Sequence, residues 1–150
     1  MQKILYIFVA LIVIAVIAMF VLGLMSKKGQ ALGLKDGHLQ ACASTDNCVI
    51  SERVNNHDAT VDAFSFNEEK QAFMIKLTAT VKSMGGVVVK AEGDYIAATF
   101  TSKLFGFVDD LELRVSDDQQ LHFRSSSRVG RKDFGANKKR IEQLKQLLNE

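Results

Sequence analysis

The chain opens with an unbroken apolar stretch. From Ile4 to Met25, twenty-two consecutive residues carry no charge, and only Gly23 falls outside the plainly apolar or aromatic set. At 1.5 Å per residue this is about 33 Å of helix, enough to cross a hydrocarbon core of about 30 Å. With no polar face for solvent, the run does not read as the core helix of a globular protein. A cleaved secretory signal usually has an apolar core of about 7–15 residues, and no small-x-small site precedes Lys27 and Lys28. No cysteine near the end of the run offers a lipid attachment point. The reading is a short tail at 1–3 and an uncleaved transmembrane anchor at 4–25, with the lipid bilayer as its partner.

Beyond the anchor the pattern changes repeatedly. Residues 26–40 have no sustained apolar period and read as an extended tether, followed by an irregular loop around Cys42 and Cys48. Ser65 to Glu68 has capping-box spacing. Phe73, Leu77, Val81 and Met84 then recur at helical intervals until Gly85 and Gly86, which predicts a helix from about Asn67 to Met84. The period then drops toward two. Val87 to Ala91, a turn at Gly93-Asp94, and Tyr95 to Ser102 predict one hairpin. Leu111, Leu113 and Val115, a turn at Asp117-Asp118-Gln119, and Leu121 with Phe123 predict a second.

If the apolar faces of the second hairpin coincide, Leu113 opposes Phe123. That register sets Glu112 beside Arg124, Asp110 beside Ser126 and Arg114 beside His122. Ile141, Leu144 and Leu148 mark a last helix from about Ala136 to Leu148. No helix separates the strands, so the expected architecture is an α+β domain at 41–150, a four-stranded antiparallel sheet packed by two helices.

The 150 residues suffice for one such core, and 47% hydrophobic content with a net charge of +2 excludes a disordered chain or a globally cationic nucleic-acid binder. There is no proline, so turns must rest on Gly, Asn, Asp and Ser. Charge is uneven: residues 120–150 hold eight Lys or Arg against three acids, whereas 26–119 hold ten against fourteen. The basic end reads as a solvated helix paired with its own acidic part, or as a surface for anionic lipid head groups. No aromatic platform interleaves with the cations as single-stranded nucleic acid would need.

For orientation, Lys27, Lys28 and Lys35 against Lys3 and the α-amino group lean toward a cytoplasmic domain. Cys42 and Cys48 lean the other way. They close a seven-residue ring in a polar segment, where a disulfide is useful and a free thiol has no packing reason to sit. Zinc held by His38, Cys42, Cys48 and His57 fits less well, because Cys-x5-Cys exceeds the usual gap of two to four residues. No metal and no cofactor is expected.

The densest polar constellation is Arg124, Ser125, Ser127, Arg128 and Asp133, followed by Asn137 and Arg140. Guanidinium forks and a glycine turn leading into a helix suit a carboxylate, a phosphate or a partner protein. Set against this, Asp109, Asp110 and Glu112 would neutralise Arg124 and Arg128 across the hairpin as an ion-pair network. No nucleophile elbow surrounds the serines, and His122 is the one nearby base, so a serine hydrolase using Ser125 or Ser127 is a secondary reading. Asp109 and Asp110 are adjacent on a strand, point to opposite faces and do not share a ligand. No residue is assigned a catalytic role.

Three stretches resemble one family. They are Cys42-Ala43-Ser44-Thr45-Asp46-Asn47-Cys48-Val49, Phe105-Gly106-Phe107-Val108-Asp109-Asp110-Leu111-Glu112, and the long run from Arg124 through Asp133, Phe134 and Asn137 to Ile141, with Tyr95 to Ala98 as a lesser match. The chain from about Leu32 to Leu147 resembles domain of unknown function family 1499, found in bacteria and plastids. Where family members carry prolines, this chain has Ala41, Ala43 and Asp46. The resemblance implies an extracytoplasmic domain and no established activity. The expectation is a single-pass protein with a non-catalytic binding or assembly module for an envelope component, in a periplasmic or other extracytoplasmic setting. The alternatives are the hydrolase and a cytoplasm-facing domain that binds anionic lipid.

Overall fold

The computed structural model describes residues 1–54 and 60–149. The anchor run forms one helix, α1 (Gln2–Ser26), long and apolar enough to cross a membrane. Only Gly23 and Ser26 of this helix are buried, and both lie where it meets the rest of the chain. Then come β1 (Leu34–Lys35), β2 (His38–Leu39), β3 (Cys48–Ile50), β4 (Phe64–Ser65), α2 (Lys70–Ser83), β5 (Val87–Glu92), β6 (Tyr95–Thr101), β7 (Val108–Val115), β8 (Gln120–Ser127) and α3 (Ala136–Leu148).

The architecture is α+β, with a larger sheet than the pattern predicts. Strands β5 to β8 form the expected antiparallel meander, and β3 and β4 both pair with the outer edge of β8 to make six strands. β3 runs beside Arg124 to Ser126, and β4 beside Gln120 and Leu121. Strands of three and two residues are too short to carry a readable alternation, which is why the four-strand expectation falls short. The β7–β8 register is the predicted one: Leu113 faces Phe123, Glu112 faces Arg124, Asp110 faces Ser126 and Arg114 faces His122.

One face of the sheet holds the main core. Ile96, Leu111, Leu113, Leu121 and Phe123 pack against Phe73, Leu77 and Val81 of α2 and Ile141, Leu144 and Leu148 of α3. Helix α2 starts at Lys70 rather than Asn67, with the Glu69 carboxylate accepting from the Ala72 N–H at 2.9 Å. The capping box at Ser65 loses to strand pairing: Ser65 sits in β4 opposite Gln120, and the Phe66 N–H donates to the Gln119 carbonyl. Phe66 then stacks on Phe73 with ring centres 3.8 Å apart.

The opposite face is covered by the segment between α1 and β3. Residues 27–40 are therefore not a free tether. Leu39 is fully buried in a second cluster with Ile50, Tyr95 and Ala97, and the Gly33 N–H donates to Glu112 at 2.7 Å. The helix end is fixed as well. A Cβ on Gly23 would lie 1.9 Å from the Phe105 carbonyl oxygen, so only glycine permits this approach. The Ser26 hydroxyl donates to the Gly23 carbonyl at 2.6 Å and accepts from the Val108 N–H at 2.9 Å, at the first residue of β7.

Ser26→Ala removes the acceptor for the Val108 N–H at a buried site and should destabilise the junction by about 1–3 kcal/mol. Hydrogen exchange on the detergent-solubilised chain is expected to show faster exchange at Val108. Unchanged exchange there would mean that the hydroxyl does not hold the junction.

Candidate functional site

Alternation along β8 sends its polar residues to both faces of the sheet, and each face builds its own network. On the face under the N-terminal segment, Glu112 is fully buried. One carboxylate oxygen accepts from Arg124 Nη1 at 2.6 Å. The other accepts from the Tyr95 hydroxyl and the Gly33 N–H, both at 2.7 Å. Burial, together with the Glu112 carboxylate that its proton serves, raises the Tyr95 pKa far above its ordinary value. Beside this pair, Arg128 grips Asp110 through two N–H groups at 2.9 and 2.7 Å, the bidentate geometry a guanidinium favours. Its third nitrogen donates to the Ser26 carbonyl at 3.2 Å, so the same arginine ties β7 to the end of α1.

Further along that face, buried Glu52 accepts from the Leu39 N–H at 2.8 Å and from Arg114 Nε at 2.6 Å. His38 and His122 approach the same carboxylate at 3.5 and 3.7 Å. Burial pushes the His122 pKa below its ordinary 6.5, with Glu52 opposing the shift and Arg114 reinforcing it.

On the helix-covered face, the Ser125 hydroxyl is fully buried, donates to Asn137 Oδ1 at 2.7 Å and accepts from Arg140 Nη1 at 2.8 Å. Arg140 pairs with Asp109 at 2.7 Å and lies over the Phe100 ring, 4.7 Å from its centre. Asn137 Nδ2 donates to the Asn47 carbonyl at 2.9 Å and to the Ser127 hydroxyl at 3.1 Å. Asp133 accepts from the Gly135 and Asn137 N–H groups at 3.0 and 2.8 Å, which fixes the start of α3. Burial alone would raise the Asp133 pKa, but the donors from Asn137 and Gly135 outweigh it and hold the carboxylate below its usual range.

The residues grouped in sequence as one anion or partner surface are therefore divided. Arg124 and Arg128 lie on one face of the sheet, and Ser125, Ser127, Asn137 and Arg140 lie on the other. Asp110 and Glu112 neutralise Arg128 and Arg124 across the hairpin, whereas Asp109 pairs with Arg140 instead, because alternation turns it toward α3. The sheet also separates His122 from Ser125 and Ser127, so neither pairs with it; His122 Nε2 lies instead 3.4 Å from the Ser116 hydroxyl. Cys42 and Cys48 are joined in a disulfide with Cα atoms 5.8 Å apart. His38 stands beside Glu52, and His57 lies outside the described residues. Among the described residues no group of three or more His, Cys, Asp or Glu is arranged to hold a metal ion.

Sequence reasoning missed Glu52, Tyr95 and Ser26 as network members, whereas Asn47 belongs to the Cys42–Val49 stretch that carries the family resemblance. Glu52 sits in a segment without periodicity, and Ser26 offers only the cue of being the first polar residue after the apolar run. What remains exposed near the constellation is the turn after β8, with Arg131, Lys132 and Phe134 all open to solvent. The chief concavity nearby is a cleft of about 860 Å³ between the N-terminal segment and β5–β6, lined by Lys27, Leu32, Lys90, Tyr95, Thr99 and Arg128.

Arg124→Met leaves Glu112 buried without its counter-charge and should cost about 3–5 kcal/mol, whereas pairing it with Glu112→Gln, which removes the charge and keeps an acceptor for Tyr95 and Gly33, should recover part of the loss. Urea unfolding of the single and double variants measures both. A second expectation concerns pH. Because His122 is harder to protonate folded than unfolded, its contribution is complete above about pH 6.5 and declines as pH falls through 6.5 toward the folded value. Unfolding midpoints measured between about pH 7.5 and pH 5 should fall, and His122→Gln should flatten that fall.

No curated protein matches the chain. The profile of a family described as protein of unknown function (DUF1499) matches residues 38–148, which takes in β2 through α3 and both networks except for Ser26 and Gly33, and the chain belongs to this family.

Proposed function

We propose that the chain is a single-pass membrane protein whose α+β domain lies outside the cytoplasm and serves as a non-catalytic binding or assembly module for another envelope component. The junction at Gly23 and Ser26 carries this reading. A leader destined for removal has no reason to be packed into the fold, yet Ser26 is 1% exposed and bonded to both β7 and Arg128. Helix α1 behaves as a structural element of the domain, which suits a retained anchor and fixes the domain's distance from the bilayer.

The Cys42–Cys48 disulfide supports an oxidising compartment. A binding role, rather than catalysis, is supported by the way the reactive side chains are engaged. Ser125 is buried against Asn137 and Arg140, and Asp109, Asp110 and Glu112 are each matched to a guanidinium. The groups left to meet a partner are Arg131, Lys132 and Phe134 in the turn after β8, together with the cleft beside Tyr95.

Labelling with a membrane-impermeant maleimide tests the topology, since Cys42 and Cys48 are the only cysteines. Labelling of intact protoplasts or of cells opened to the outer compartment, only after an impermeant reductant, is expected, together with an intact mass that retains residues 1–26. Labelling confined to lysates without reductant would overturn the extracytoplasmic assignment. A serine-directed phosphonate is expected to leave the folded protein unmodified. Modification lost in Ser125→Ala would make the chain an enzyme.

A further inference from the structure

The β6–β7 loop, residues 102–107, lies against the anchor helix inside the apolar run rather than beyond its end. The Phe105 ring meets the Phe20 ring edge-on with centres 5.2 Å apart, and its carbonyl contacts Gly23. Phe20 precedes Met25, the last residue of the apolar run, by five positions, or about 7.5 Å along a helix. The 22-residue run is about as long as the hydrocarbon core is thick, so it has little slack to lift Phe20 clear of the membrane. A loop fixed to the helix at that level shares its depth.

The loop is built for such a place. Part of its backbone is bonded within the loop: the Ser102 N–H donates to the Phe107 carbonyl at 2.8 Å, the Gly106 N–H to the Ser102 carbonyl at 3.2 Å, and the Phe107 N–H to the Ser102 hydroxyl at 3.0 Å. Each bond closed internally lowers the cost of an irregular segment where water is scarce. Its outward residue is apolar, since Leu104 is 71% exposed, and the adjacent Lys103 is exposed with a stem long enough to reach back to the head groups.

The surroundings agree in charge. Strand pairing of Thr101 with Val108 and of Asp109 with Ser127 puts the β6–β7 loop and the turn after β8 at the same end of the sheet, the end where Ser26 joins. That end carries exposed Lys27, Lys28 and Lys132, exposed Arg131 at 4.0 Å from Asp46, and a second exposed apolar side chain, Phe134, which is 91% exposed and held at a φ of 54°. The opposite end carries the β5–β6 and β7–β8 turns, where Lys70 bonds Asp94 and Asp117 at 2.6 and 2.9 Å and Asp118 adds a further carboxylate. A domain with exposed cations and apolar tips at its anchor end is oriented for an anionic bilayer surface.

We propose that residues 102–107 form a membrane-inserting wedge, with Leu104 and Phe105 in the leaflet from which α1 emerges and the neighbouring basic residues at the phosphates of that leaflet. The wedge and the helix are then two points of attachment, and the domain is held upright instead of swinging on a tether. The proposal rests on α1 being a membrane anchor and is independent of which side of the membrane the domain occupies.

The full chain, reconstituted in vesicles of phosphatidylcholine and phosphatidylglycerol, tests this with an environment-sensitive NBD probe attached in turn through Leu104→Cys, Ile12→Cys and Asp117→Cys, the native cysteines remaining disulfide-bonded. The Ile12 probe reports the anchor. The Leu104 probe is expected to emit at shorter wavelength than the Asp117 probe and to lose most of its intensity to a shallow lipid-borne quencher, while the Asp117 probe is quenched only by aqueous iodide. An Ile12 probe quenched from the lipid with a Leu104 probe open to iodide would overturn the wedge and leave the anchor standing. An Ile12 probe open to iodide would overturn both.

Discussion

Burying a carboxylate in a protein interior is tolerable only when its oxygens are answered, and Glu112 imposes that condition at the middle of the sheet, where Arg124 meets it through Nη1 while its own Nε stays buried without a partner among the described residues. Each oxygen of Glu112 is committed, one to Arg124 and the other to Tyr95 and Gly33. The Gly33 donor comes from outside the sheet, in the stretch that leads away from α1. The pair can be buried only if that stretch lies down over it, and once it does, Leu39 and Ile50 close a second small core beside Tyr95 and Ala97. A segment without periodicity thus becomes one layer of a three-layer domain.

The same logic repeats toward the membrane end with different partners. Arg128 is fixed by Asp110 in two-pronged geometry and still has a nitrogen free to hold the Ser26 carbonyl. On the other face Arg140 holds Asp109, while Asn137 collects Ser125, Ser127 and Asn47. The two networks are back to back across β7 and β8, and between them they attach α1, the disulfide loop and the start of α3 to a single pair of strands. Ion pairs of this kind add little net stability over apolar packing but demand one arrangement of their neighbours, which suits a junction that must keep a helix at a set angle.

The parts that were legible in the sequence are those governed by a local period. The apolar run, α3 and the β7–β8 register could be read because Ile141, Leu144 and Leu148, or Leu113 and Phe123, announce which face is inward. From that register the Glu112–Arg124 pairing followed without further information. What could not be read depends on contacts distant in sequence. β3 and β4 are strands only because β8 offers an unpaired edge, and Glu52 is buried only because Arg114, 62 residues away, needs a partner. Grouping Arg124 to Arg140 as one surface failed for a related reason: neighbours on a strand point in opposite directions, so a dense polar run in sequence is divided by the sheet into two interiors.

That division bears on where function should be sought. Polar residues concentrated in a short run invite a chemical reading, yet here Ser125, Asn137 and Arg140 are turned inward and bonded to one another on one face, and Arg124 is turned inward to Glu112 on the other. A stretch such as Phe105-Gly106-Phe107-Val108, with no chemistry of its own, touches α1 at Phe20, Gly23 and Ser26. The polar runs build the scaffold, and the apolar tips and exposed cations around the end of α1 are what the scaffold presents. On the proposed function, a protein organised in this way acts through where it holds its surface relative to the bilayer, so the side chains that would specify a partner belong among those the networks leave outside.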